Sequence, residues 1–308
     1  MKLATQMIDF AGYADGFPNI IRMFKNTPFQ YLDFGLYMDF SNDNWRDEIN
    51  RCAEAAEEIG VSFVQAHAKD FKPFYSDKDI KTEIMMMERS LEACAMLGIP
   101  NMVVHAGSPE GFRAMYPYHG REEFFEYNKK MYSLLFEAMD KYGVNVLTEN
   151  SAEANTLGKY YFMKGQEMRD FLDWVDNPRL LAVWDTGHAN MRGNNQTEDI
   201  IALGDKLAGL HIHDNDGNKD EHTAPYMGIL NMDTVMQGLV EIGYSGYFTF
   251  ESHNFPLRAG GWPYKRRSFD GANNKLLQPS TEIKIAAENM LYLTGKYFLE
   301  QYGLFEEK

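Results

Sequence analysis

One pattern constrains this chain more than any other: an unbroken alternation of short apolar, β-branched or aromatic runs with longer stretches of helical period. The runs are KLATQMI (2–8), YLDFGLYM (31–38), VSFVQAHA (61–68), NMVVHAG (101–107), VNVLTE (144–149), LLAVWD (180–185), LAGLHIH (207–213) and GYFTFE (246–251). Stretches such as DKDIKTEIMMMERSLEACAMLG and YNKKMYSLLFEAMDKYG separate them and place apolar residues at i, i+3, i+4 and i+7, the stripe of a helix lying on a sheet. Gly60, Gly98, Gly143 and Gly243 each stand just before a run, where a glycine supplies the left-handed turn that ends a helix. Strands each followed by a helix form a parallel sheet, and eight such units close on themselves. The expected fold is therefore a single α/β domain over residues 1–308, a (β/α)8 TIM barrel with a long loop insertion at 252–280 after the eighth strand. A doubly wound open sheet rarely needs eight strands and usually opens on G-x-G-x-x-G, which this chain lacks.

Charge narrows the partners. Thirty basic against forty-five acidic residues leave a formal net charge of -15, which on average repels a polyanion and disfavours nucleic acid. The two cysteines, Cys52 and Cys94, both fall in helical stretches and read as buried thiols rather than as a disulfide or a thiolate metal site. No run approaches the ~18 uninterrupted apolar residues of a membrane span, and the first residues lack the apolar core of a signal peptide. No membrane partner and a cytoplasmic location are the expectations.

In a barrel of this kind the chemistry sits where the strands end. Strand 3 ends at His67, strand 4 at His105 and strand 5 at Glu149. Strand 6 ends at Asp185 with His188 just beyond, strand 7 at His211 and His213, and strand 8 at Glu251. Any one of these has an ordinary reading as a core histidine or a solvated carboxylate. Together they converge on one axis, where Glu149, Asp185 and Glu251 would repel one another in a low-dielectric cleft unless a dication lay between them. Carboxylates with an imidazole make a hard, oxygen-rich site that suits one divalent ion: Mn2+ first, with Mg2+, Co2+ or Zn2+ as alternatives.

The pieces QAHA, VVHAGSP, LTENSAEAN, VWDTGHANM, LHIHDNDGNKDEH and YFTFESH, spread over nearly the whole chain, resemble the xylose isomerase-like barrel superfamily of sugar isomerases, epimerases and tri-zinc apurinic endonucleases. The resemblance implies a single-metal site of Glu149, Asp185, His211 and Glu251. It implies a carbohydrate isomerase or epimerase in which Glu149 and Glu251 move a proton through a metal-stabilised enediolate, with His188 on the same substrate oxygen. His67, His105, His188, His213, Asp220, His222 and Trp262 would contact the sugar, free or phosphorylated. By analogy with the superfamily, a homodimer or homotetramer is expected.

Two other readings stay open. His67, His105, Asp220 and His222, added to Glu149, Asp185, His188, His211 and Glu251, match the nine-ligand set of the tri-zinc endonucleases, against which the net charge stands. The other is a catalytically retired barrel that serves as a binding module or partner subunit, or the barrel subunit of a C-glycoside-cleaving heteromer, with Arg258, Trp262, Tyr264, Lys265, Arg266 and Arg267 of the 252–280 loop as a cover, a phosphate grip or an interface. Position in the chain further suggests Phe34 and Tyr37 as pocket-lining aromatics, and strand alternation turns Trp184 toward the helices.

Overall fold

A computed structural model describes residues 1–74, 79–107, 120–151, 161–256 and 278–307. All eight runs form strands: β1 (Lys2–Gln6), β2 (Tyr31–Leu36), β3 (Ser62–Ala68), β4 (Asn101–Val103), β5 (Asn145–Glu149), β6 (Leu180–Asp185), β7 (Leu207–His211) and β8 (Tyr247–Phe250). They make one parallel sheet in the order β7-β6-β5-β4-β3-β2-β1-β8. The ring is closed between its ends where Ile212 bridges Phe250 and Glu251 N donates to Ile212 O at 2.9 Å.

The helices among the described residues are α1 (Phe17–Met23), α2 (Trp45–Ile59), α3 (Ile80–Met96), α4 (Arg121–Ser133), α5 (Phe136–Tyr142), α6 (Gly165–Val175), α7 (Thr186–Arg192), α8 (Gln196–Leu203), α9 (Met232–Glu241) and α10 (Thr281–Gln301). None is long and apolar enough to cross a membrane. Gly60, with φ 75°, ends α2 as expected, its N–H returning to Ala56 and Glu57 carbonyls. Cys52 and Cys94 are buried and unpaired, and burial drives both thiols upward, Cys52 to about 12.

Each strand turns alternate residues to opposite faces. The outward ones join the main core with the helices: Trp184 is fully buried there, and its Nε1 donates to Gln196 Oε1 of α8 at 3.1 Å. Phe34 corrects one expectation. It packs edge-on against Phe63, with ring centroids 5.0 Å apart, in that same outer layer. The inward positions of β2 belong to Asp33 and Gly35, so the residue between them faces the helices. Tyr37 lies near the site, with its ring 6.3 Å from that of His67.

Inside the barrel the residues form layers. Val103, Leu147 and Val183 make a small apolar plug separate from the main core. One inward step further along β5, β6 and β7 come Glu149, Asp185 and His211, so the polar cluster stands directly on that plug.

Candidate metal centre

The strand ends bring one ligand atom each from Glu149, Asp185, His211 and Glu251 to within 4.8 Å of one another, with all four residues buried. His211 Nδ1 lies 3.0 Å from Glu149 Oε1 and 3.2 Å from Glu251 Oε2. Ligands about 2.1 Å from a small dication are at most about 4.2 Å apart, so a slight contraction of this cluster would enclose one. The donor set fits such an ion: three carboxylates and one imidazole, and Glu149 Oε2 has no well-aligned hydrogen-bond donor despite its burial. The ion-pair partners of Glu149, Asp185, Asp220 and Glu251 among the described residues are histidines.

Burial raises the Glu149 carboxyl, but His211 and His105 outweigh it and hold the group well below the usual carboxylate range. The opposite balance applies to His211: burial works against its charge, yet Glu251 and Glu149 lift it well above an ordinary histidine. Ligation through Nδ1 would displace the proton these carboxylates favour, so a divalent ion would take over the balancing of their charge.

Two further groups flank this centre, the first sharing Glu149 with it and the second adjoining Asp185. On one side His105 Nε2 sits 3.0 Å from Glu149 Oε2, and His67 Nε2 lies 3.1 Å from His105 Nε2. On the other, His188, His213, Asp220 and His222 also bring their ligand atoms within 4.8 Å. His213 is fully buried, with Nε2 3.1 Å from Asp185, and its ring stacks on His222 at 4.0 Å. His222 Nε2 is 3.0 Å from Asp220 Oδ2, and His188 Nε2 is 3.5 Å from the same atom. Burial opposes the charge on His222, but Asp220 and Glu251 raise it to about 9. His188 is lifted well above the ordinary value by Asp185 and Asp220, again against its burial.

Local structure explains the spacings. Asp185 caps α7: its carboxylate accepts from His188 N at 2.6 Å, so the step of three residues is the first turn of a helix. Asn150 clamps the same point, accepting from Asp185 N at 2.7 Å and donating to Asp185 O at 2.8 Å. The chain after β7 folds back through an Asp214–Thr223 bridge. Asp214 also accepts from the Gly228 and Leu230 amides, and the loop so held returns Asp220 and His222 over the barrel mouth.

Of the residues singled out from sequence, His67, His105, Glu149, Asp185, His188, His211, His213, Asp220, His222 and Glu251 all reach this mouth. Trp262 lies outside the described residues, as does most of the 252–280 loop. Sequence reasoning passed over Gln6, whose Nε2 donates to Glu251 Oε1 at 2.7 Å, Asn150, and His253, stacked on His222 at 4.4 Å. A lone amide at a strand end carries no metal signature, although a Gln closing the first run was visible.

An eight-stranded barrel whose strand ends gather carboxylates and imidazoles into metal-competent clusters defines a class of protein. Residues 24–272 match the xylose isomerase-like TIM barrel family model, and the chain belongs to that family. It is 27% identical over 195 residues to an uncharacterized protein of Methanocaldococcus jannaschii, an alignment covering 62% of this chain and 64% of the relative. It is 34% identical over 119 residues to the L-ribulose 3-epimerase of Methylomonas sp. (strain DH-1), covering 37% of each chain. The chain thus spans less than two thirds of either relative's length. Among solved structures, one of an L-ribulose 3-epimerase superposes with a TM-score of 0.73 at 13% identity over 98% of this chain and 96% of that one, a likeness of fold.

Proposed function

We propose that this chain is a divalent-metal-dependent sugar isomerase or epimerase, with Glu149 and Glu251 as its proton-transferring pair. The observation that carries the reading is the convergence of Glu149, Asp185, His211 and Glu251 on one buried point at the barrel mouth. The L-ribulose 3-epimerase relative supports the carbohydrate class. One bound ion, Mn2+ first and Mg2+, Co2+ or Zn2+ otherwise, would supply Lewis-acid polarisation of the substrate carbonyl and charge stabilisation for the enediolate. Glu149, from β5, and Glu251, just beyond β8, come from different sides of the barrel. One takes the proton from carbon and the other returns it, to the opposite face or to the neighbouring carbon. Gln6 keeps Glu251 oriented through the bond to Oε1. His188, whose ring is fixed at Nδ1 by Asn150 O at 2.8 Å, presents Nε2 to a substrate oxygen. His67, His105, His213, Asp220 and His222 form the surrounding polar wall, and Trp262 would join it from the loop.

The test is metal content per chain after purification without added metal or chelator, followed by solvent deuterium incorporation across a ketose panel. About one ion per chain with deuterium at an exchangeable C–H supports the reading; a metal-loaded protein that exchanges no ketose carbon refutes it.

One observation favours a second reading. The flanking groups share Glu149 with the centre on one side and adjoin Asp185 on the other, the layout of a three-ion site for phosphodiester cleavage. Close to three Zn per chain and cleavage of abasic-site DNA would favour it. The net charge of -15 weighs against a polyanionic substrate.

A further inference from the structure

Behind the proposed centre lies a buried carboxylate that the reading above does not use. Asp33, on β2, is 1% exposed and points into the barrel, where a branched apolar residue would complete the interior layer. Gln65 of β3, its register partner, donates from Nε2 to Asp33 Oδ2 at 2.7 Å. The same Oδ2 lies 3.5 Å from Nε2 of His211, the ring nitrogen turned away from Glu149 and Glu251. Space for this arrangement is built into β7: a Cβ on Gly209 would come within 2.3 Å of Gln65 Oε1. Three strands thus cooperate to hold a carboxylate behind one imidazole.

Stability alone does not account for it. Burying a carboxylate costs several kcal/mol, and a well-packed apolar replacement is often neutral or stabilising. Metal-ligating histidines, by contrast, recurrently give their second N–H to a carboxylate, which fixes the tautomer and the ring orientation. In His211 the nitrogen facing Glu149 and Glu251 is Nδ1, so ligation there leaves Nε2 to carry the proton. Buried Nε2 makes no well-aligned hydrogen bond among the described residues, and the carboxylate that faces it, 3.5 Å away, is Asp33.

Resting on the metal-site reading above, we propose that Asp33, anchored by Gln65, is a positioning residue that holds His211 with its proton on Nε2 and its Nδ1 lone pair open to the cation. The test is Mn2+ affinity of the full chain, by chelator competition at fixed pH, together with the melting temperature of the metal-free protein. Asp33→Ala is expected to weaken Mn2+ binding by about tenfold to a hundredfold. Asp33→Asn, whose amide oxygen still accepts, is expected to weaken it less, with a metal-free melting temperature equal to or above wild type. Gln65→Leu keeps the charge and removes only the anchor, and it too is expected to weaken binding.

Wild-type affinity in Asp33→Ala would overturn the proposal and leave the metal site standing. Wild-type affinity in Gln65→Leu beside a weakened Asp33→Asn would overturn positioning in favour of simple charge attraction. A fall in metal-free melting temperature with unchanged affinity would make Asp33 a structural residue only. If the wild-type chain binds no Mn2+, the metal-site reading fails and this proposal with it.

Discussion

Glu288→Gln should make this protein's stability less sensitive to alkali, for a reason visible between β1 and the last helix. Lys284 and Glu288 of α10 and Asp9, in the turn after β1, are each no more than 3% exposed and meet in the layer between wall and helix. Lys284 Nζ lies 2.6 Å from Glu288 Oε1 and donates to Phe255 O at 2.8 Å, while Thr5 Oγ1 donates to Asp9 Oδ2 at 2.5 Å. One ammonium cannot neutralise two buried carboxylates. Burial, reinforced by the charge of Asp9, pushes the Glu288 carboxyl up to about 8 from its ordinary 4.5. Between those values the folded chain holds a proton that the unfolded chain has released. The contribution is therefore complete below the unfolded value, and stability falls as pH rises, by about 1.4 kcal/mol per pH unit. The loss levels off above the folded value, after up to about 5 kcal/mol across the window. A glutamine cannot ionise, yet it can still donate toward Asp9 and accept from Lys284. The variant should lie closest to wild type at pH 5, exceed it increasingly up to about pH 8 and keep a level advantage at pH 9. Urea unfolding at pH 5, 7 and 9, with chelator present so that metal linkage does not contribute, measures this directly. A stability difference that stays constant with pH, or a wild type that gains on the variant as pH rises, would refute the argument.

Three further outcomes follow from the site. Glu149→Gln should lower deuterium exchange into substrate by about 10²- to 10⁴-fold while retaining part of the metal, because an amide oxygen ligates but takes no proton; exchange rate and metal content, read together, check it. His211→Ala should weaken metal binding strongly whereas His213→Ala should spare it, and the reverse order in a chelator titration would move the ligand two residues along the chain. Gly187→Ala would put a Cβ 1.9 Å from His213 Cε1, so the imidazole must leave its place beside Asp185; a loss of about 1–3 kcal/mol in chemical unfolding is expected.

The barrel was legible because its strands are covered on both faces, which makes each a compact apolar run with glycines punctuating the helices before them. The run ends were less so. The 101–107 run pairs only as Asn101–Val103, since Gly107 is drawn off the wall by Asn128 of α4, which accepts from its N–H at 2.7 Å and donates to its carbonyl at 2.9 Å. The 2–8 run turns at Met7 into a 3-10 helix that carries Asp9 to the last helix. Neither contact has a signature within the run itself.

The candidate ligands were legible for a different reason: histidine and carboxylate at the ends of successive parallel strands must share one axis. What that rule omits is the support behind them. Asp33 stood in plain view as an acid inside YLDFGLYM, and its inward direction follows from alternation once Gly35 is placed beside it. Its partner does not follow, because the shift in register between Leu32 and Asp33 decides that Asp33 meets Gln65. The same limit hid Gln6, which reaches Glu251 only because β1 and β8 are neighbours in the closed ring. Sequence periodicity fixes the face a side chain takes, while barrel closure and register choose what it meets there. The positions where a polar residue interrupts an inward apolar layer are therefore where this chain's function departs most from what packing alone would select.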